Sequence, residues 1–151
     1  MSNEVNATKA NEAPTRLADG TYQPVLTVSD LDRCGRRWML GASIYNYESQ
    51  CAPAVMFATE PALRKIYAGD EEGYRRSLLS TYRYYNATPQ VSGLLLGAGL
   101  ALEDKGHNDA IDAVQDLKIG LMGSLSGVGD TIFAILIPTI FGSIAAYMGQ
   151  A

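Results

Sequence analysis

The sequence predicts an all-α, membrane-associated fold, with an amphipathic helical part toward the N-terminus and a hydrophobic tail built as a broken helix or hairpin. Three observations predict it. From Ile119 to Gly149 the chain is almost wholly apolar and holds no Lys, Arg, Glu or His. Such a run suits a bilayer better than the core of a small soluble domain. All 12 Lys and Arg lie at or before Lys118, and every acid except Asp130 does too. A water-compatible part therefore precedes a bilayer-compatible one, and the mean hydropathy of −0.03 averages the two. Finally, the charged part is punctuated by helix-capping residues, Pro and Gly, at helical intervals.

Residues 1–25 are expected to form a polar, disordered arm. Met1–Gln23 is rich in Asn, Thr and Ala and has no apolar segment of the kind a signal peptide needs. The helical domain is assigned to 26–151. Its first helix starts at Thr27–Asp30, where Thr27 or Ser29 can cap and Asp30 and Asp32 suit the first turn. It is expected to run through Cys34, Trp38 and Ile44 toward Tyr47 and to stop before Pro53. Ala54–Tyr67 is a second helical stretch, expected to break at Pro61 and to end at Gly69. Asp70–Ala87 is a third, capped by Asp70, with Tyr74, Leu78, Tyr82 and Tyr85 as an aromatic stripe. Val91–Leu102 makes a short apolar helix of about 18 Å, too short to span the ~30 Å hydrocarbon core. Its GLLLG run suits close helix packing. A polar loop over Glu103–Asn108 and an amphipathic segment over Asp109–Lys118 lead into the tail.

The tail divides itself. Ile119–Gly129 is too short to cross a bilayer and Thr131–Gly149 is long enough. Gly127, Gly129 and Asp130 lie between, and a broken tip there is the expectation. An ionisable group in an apolar run is a functional-site hypothesis by default, so Asp130 is the first candidate. It reads either as an N-cap for TIFAI or as a polar contact to a partner subunit or substrate cavity. Asn46, Tyr47 and Glu48 form a compact polar triplet and are secondary candidates for a sugar or subunit contact.

Several classes are excluded. The net charge of −4 and pI near 4.9 argue against nucleic acid. The glycine run lacks the GK[ST] of a phosphate loop, and Ile132 stands where a dinucleotide motif needs its third Gly. No catalytic constellation, metal-ligand spacing or cofactor motif is found. Cys34 and Cys51 are expected to be reduced thiols, and His107 a surface residue.

The segments SIYNYESQ, PALRKIY, YYNATPQVSGLLLGAGLALED and LKIGLMGSLSGVGDTIF resemble the IID component of mannose/fructose/sorbose-type phosphotransferase sugar permeases. The likeness runs from about Leu26 to Pro138. The chain has Ser124 where the family usually has Pro, and Ile137 where it usually has Arg. The resemblance implies a non-catalytic subunit in the cytoplasmic membrane. It would form a sugar translocation unit with a IIC partner, while IIA and IIB carry the phosphoryl group to a hexose-type sugar. Gly127, Gly129 and Asp130 would shape the interface, and the basic N-terminal part would face the cytoplasm. Members are nearly twice as long, so the C-terminal half of the family domain is expected to be absent here. The alternatives are a non-transporting remnant that binds a partner, and a small membrane-active helical protein.

Overall fold

The computed structural model describes residues 14–149. The first half of the expected arm, residues 1–13, lies outside them. Six α-helices follow in order: α1 (Val28–Gly41), α2 (Ala52–Ile66), α3 (Glu71–Thr81), α4 (Pro89–Gly106), α5 (Ile111–Gly129) and α6 (Ile137–Met148). A 3-10 turn at His107–Ala110 joins α4 to α5, and a π-helical stretch at Asp130–Leu136 joins α5 to α6. The all-helical class is as the sequence predicts.

Local chemistry explains the boundaries. Thr27 and Asp30 form a reciprocal capping box at the start of α1. Asp30 also holds Lys65 of α2 at 2.7 Å. Thr27→Ala should therefore destabilise the bundle by about 1 kcal/mol in urea unfolding; an unchanged midpoint would show that the box does nothing for the fold. α1 stops at Gly41 rather than near Tyr47, and 42–50 is a turn closed by paired Asn46 and Gln50 backbones.

Pro61 does not break α2, contrary to the expectation. A proline withholds the N–H that would satisfy the carbonyl four residues back. That carbonyl belongs to Phe57, and Arg37 of α1 supplies the missing donor at 2.8 Å, its guanidinium lying over the Phe57 ring. α2 ends at Ile66 with Tyr67 as its C-cap, and Gly69 takes the positive φ of 86° that the turn requires. Asp70 caps α3 by accepting from the Gly73 N–H. The tyrosine stripe divides, because α3 ends at Thr81: Tyr74 and Tyr85 are buried, Leu78 packs on the core and Tyr82 is exposed.

The core lies where α1, α2, α4 and α5 meet, and includes Trp38, Leu63, Ile66, Tyr85, Leu95 and Leu100. α4 is longer than predicted because the supposed polar loop is helical to Gly106, with Glu103 and Asp104 buried. Glu103 accepts from Ser77 at 2.6 Å and from Tyr67 at 2.9 Å. Asp104 accepts from the N–H groups of Val25 and Leu26, which ties the chain before α1 to the far end of α4. His107, expected at the surface, is only 4% exposed. Its ring stacks on Tyr22 at 3.8 Å and meets the Tyr67 edge. Its backbone takes a positive φ of 46°, a strained value held by that packing. Cys34 and Cys51 are free and buried, the former in α1 and the latter just before α2.

The tail does not fold back. α5, the π stretch and α6 follow one another with helical backbone at every junction. No break occurs at Gly127–Gly129, which stay α-helical; the one irregularity in the described tail is a change from α to π hydrogen bonding over Asp130–Leu136. It ends just ahead of Pro138, which has no N–H to give to the preceding turn. From Asp130 onward no residue of the described helix is buried. Its Thr and Ser hydroxyls are satisfied internally: Thr131, Thr139 and Ser143 each donate to the carbonyl four residues back. A helix in hydrocarbon needs this, because no water is there to take those donors.

Candidate functional site

The signature glycines and Asp130 sit where the apolar helix leaves the bundle. α4 begins and α5 ends at this point, and Thr88, just before α4, faces the end of α5. Its hydroxyl donates to Oδ1 of Asp130 at 2.7 Å and lies 3.1 Å from the Ser126 carbonyl. Ser126 itself reaches Oδ2 of Asp130 at a weak 3.4 Å. Asp130 has helical backbone angles, its N–H bonds back to the Gly127 and Ser126 carbonyls as the C-cap of α5, and its side chain caps no helix N-terminus. The N-cap reading is replaced by a clip between two helices.

Gly129 explains itself once Thr88 is in place. A Cβ built on Gly129 would stand 2.4 Å from the Thr88 Cβ and 2.5 Å from its hydroxyl oxygen. Gly129 is thus the contact point of the seam, and only a residue without a side chain lets Thr88 reach Asp130. Gly127 is different. No neighbouring atom lies within 4 Å of where its Cβ would be, and the same holds for Gly120 and Gly123. The close packing expected of the α5 glycines is made within this chain at Gly129 alone among Gly123, Gly127 and Gly129. In α4 likewise, Gly93 and Gly97 face open space while Gly99 packs on Val114.

The triplet lies in the 42–50 turn rather than on a helix face. Asn46 is structural in its contacts: its carbonyl oxygen accepts from the Ser49 N–H at 2.7 Å, and its amide donates to the Tyr82 hydroxyl at 3.4 Å. Tyr47 is 91% exposed and Glu48 is exposed. Turn and seam share one end of the bundle. The Cys51 N–H donates to the Tyr85 carbonyl, the Asn86 N–H meets the Met122 sulfur, and Trp38 donates to the Pro89 carbonyl at 2.8 Å. No hydrogen bond joins the triplet to Asp130 directly. Thr88 is the residue that sequence reasoning missed. Its signal was weak: one Thr before a Pro in NATPQ, 42 positions from the acid that it holds.

A helical bundle that delivers one exposed apolar helix beyond a polar clip is the architecture of a membrane-associated all-helical protein. An 18-residue window of that helix reaches a mean hydropathy of 1.9 with none of it buried. The chain belongs to the mannose/fructose/sorbose family of phosphotransferase-system IID components, whose family model matches residues 25–151. It is 34% identical over 129 residues to the mannose-specific EIID component of Escherichia coli, covering 83% of this chain and 46% of that one. It is 30% identical over 112 residues to the fructose permease IID component of Bacillus subtilis, covering 72% and 40%. Among solved structures it resembles a chain of the mannose transporter ManYZ, determined in complex with a microcin. The TM-score is 0.76 at 31% identity, over 85% of this chain and 48% of that one. The chain therefore spans about half the length of the curated relatives that it matches.

Proposed function

We propose that this chain works as the IID-type membrane subunit of a phosphoenolpyruvate-dependent sugar phosphotransferase permease, in the cytoplasmic membrane. It pairs with a IIC subunit to form the translocation unit. IIA and IIB partners handle the phosphoryl group, and a hexose-type sugar is the cargo. The observation that carries this reading is the family match across 25–151, which includes the whole GLMGSLSGVGD segment and the seam it builds. The open glycines add support. Gly93, Gly97, Gly120, Gly123 and Gly127 present surfaces without side chains and without a neighbour in this chain, as helices that receive partner helices do. The concentration of Lys and Arg before Ile119 supports a cytoplasmic N-terminal part. In this reading Asp130 and the adjacent glycines shape the IIC-facing surface, and Asn46, Tyr47 and Glu48 offer a secondary polar contact. No observation favours the non-transporting alternative.

The test is Asp130→Asn, expressed with the cognate IIC, IIA and IIB proteins. An amide oxygen still accepts from Thr88, so insertion and bundle packing should persist. Sugar uptake, or recovery of the chain with IIC, should fall several-fold. Unchanged uptake together with unchanged complex yield would remove Asp130 from the site. Failure of the wild-type chain to co-purify with IIC would overturn the permease reading.

A further inference from the structure

Lys118 is the last basic residue before the apolar run that begins at Ile119, and it is not turned to solvent. It is 8% exposed, and its ammonium donates to the Thr81 carbonyl at the end of α3. An ammonium carries three N–H donors and no acceptor, so two donors have still to be met. The Tyr85 ring, 5.7 Å away, offers only the weak attraction of its face. Glu103 of α4 is buried too, at 4% exposed. Its Oε2 takes both the Ser77 and the Tyr67 hydroxyls, while Oε1 receives no hydrogen bond among the described residues.

The two charges do not touch. Lys118 makes no ion pair among the described residues, so its nitrogen stands more than 4.0 Å from both Glu103 oxygens. Each charge nevertheless acts on the other's protonation. Both residues line one cavity of about 30 Å³, and every residue around it is buried. A water needs about 10–15 Å³ of space open to its centre, so one or two fit. A water that accepts from one group and donates to another spans about 4–5.5 Å, being two bonds of ~2.8 Å at an angle. Apolar cavities stay dry, whereas cavities that offer a water two to four polar partners fill. This one has apolar walls at Val55, Leu63, Leu95 and Leu100 and polar ones at Lys118 and Glu103. Tyr85 lines it as well, and its buried hydroxyl has no hydrogen-bond partner. Opposite charges leave the site no net charge with which to recruit an ion. A neutral molecule that both accepts and donates is the ligand that fits.

We propose that this cavity is a hydration site, in which one or two held waters accept from the Lys118 ammonium and donate to Oε1 of Glu103. The bridge completes a buried ion pair whose donors and acceptor would otherwise go unmet. Together with the direct bonds to Thr81, Ser77 and Tyr67, it ties α3, α4 and the end of α2 to α5, one residue before the apolar run. Enclosed waters are not bulk solvent, so the ammonium stays largely desolvated. The inference rests on the bundle alone and stands whatever partner or cargo the chain serves.

Oxygen-17 relaxation dispersion of the solvent counts waters held inside a protein. It is measured on the full chain in detergent micelles, as wild type and as Val55→Ile, which enlarges a side chain that lines the cavity. The dispersion amplitude should fall by the share of one or two waters while circular dichroism shows the fold unchanged. Lys118→Met, which removes the donor, should give the same fall. An amplitude equal to wild type in either folded variant overturns the proposal. Val114→Ile, on the same cavity, takes the place of Val55→Ile should that variant fail to fold. The wild-type chain also gives a reading that needs no substitution. Water protons should cross-relax with the methyls of Val55, Leu95 and Leu100, with opposite signs in the laboratory and rotating frames, as a resident water requires. Methyls without such cross-peaks mean a dry cavity and overturn the hydration site.

Discussion

Gly129→Ala is expected to loosen the bundle by about 2–3 kcal/mol, from the overpacking and the lost hydrogen bond together. Helix propensity alone predicts the opposite sign, since replacing Gly by Ala inside a helix gains about 1 kcal/mol. The seam decides against propensity. The new methyl would stand 2.4 Å from the Thr88 Cβ, and the atom in the way is the branch point of a side chain, not a flexible tip. Either α4 moves off α5 or Thr88 leaves Asp130. Thermal unfolding in mild detergent, followed by circular dichroism, should show the loss. Adding Thr88→Gly removes the obstructing atoms and should recover part of it, since two residues in contact do not act additively. Equal melting of wild type and Gly129→Ala, or no recovery in the double variant, would show that the seam is not tight. The same substitution at Gly127 or Gly123 meets empty space and should leave this chain's own stability unharmed. A loss seen there only when partner subunits are present would locate a partner helix.

The contrast among these glycines shows how far sequence reaches. Capping residues are local signals, so the starts of α1 and α3 at Thr27 and Asp70 were legible from the sequence. Pro61 was misread because its remedy is not local: Arg37, on another helix, satisfies the Phe57 carbonyl. The buried Glu103, Asp104 and His107 were misread for the same reason. A run of polar residues looks like a loop until Ser77, Tyr67, Tyr22 and the Val25–Leu26 backbone are brought to it. Gly127 and Gly129 are alike in sequence, and only the position of Thr88 separates a packed glycine from an open one. Asp130 was visible as an anomaly in an apolar run, but its partner was not.

Lys118 gives the second large effect, and its sign follows from burial. The residue is 8% exposed, its ammonium donates to the carbonyl of Thr81 at 3.1 Å, and it lines a cavity of about 30 Å³ together with Glu103. Burial pushes the Lys118 pKa down to about 8 from an ordinary 10.5; Glu103 opposes the shift and Arg83 adds to it. Burial also raises the Glu103 carboxyl above its ordinary range, against the hydrogen bonds from Ser77 and Tyr67 and the charge of Lys118. For Lys118 the folded state binds its proton less tightly than the unfolded state does. Between about pH 8 and 10.5 the unfolded chain therefore holds more protons, and stability contributed by this residue rises with pH. It is fully present above the ordinary value and is lost as pH falls to about 8. The gain across that window should be about 3 kcal/mol. Glu103 works in the opposite window, favouring the fold at acid pH and losing that contribution as pH rises through its elevated value. Other groups titrate at alkaline pH, Tyr67 and Tyr74 among them, so the informative quantity is the wild type minus Lys118→Met. That substitution also leaves the Thr81 carbonyl without its donor, a loss that does not vary with pH and drops out of the slope. The difference in unfolding free energy should climb from pH 8 to 10.5; it changes again only at lower pH, where Glu103, which loses the Lys118 charge in the variant, titrates. A difference that is flat across that window would mean that bulk water reaches Lys118 in the cavity and that the amine is not desolvated by the fold.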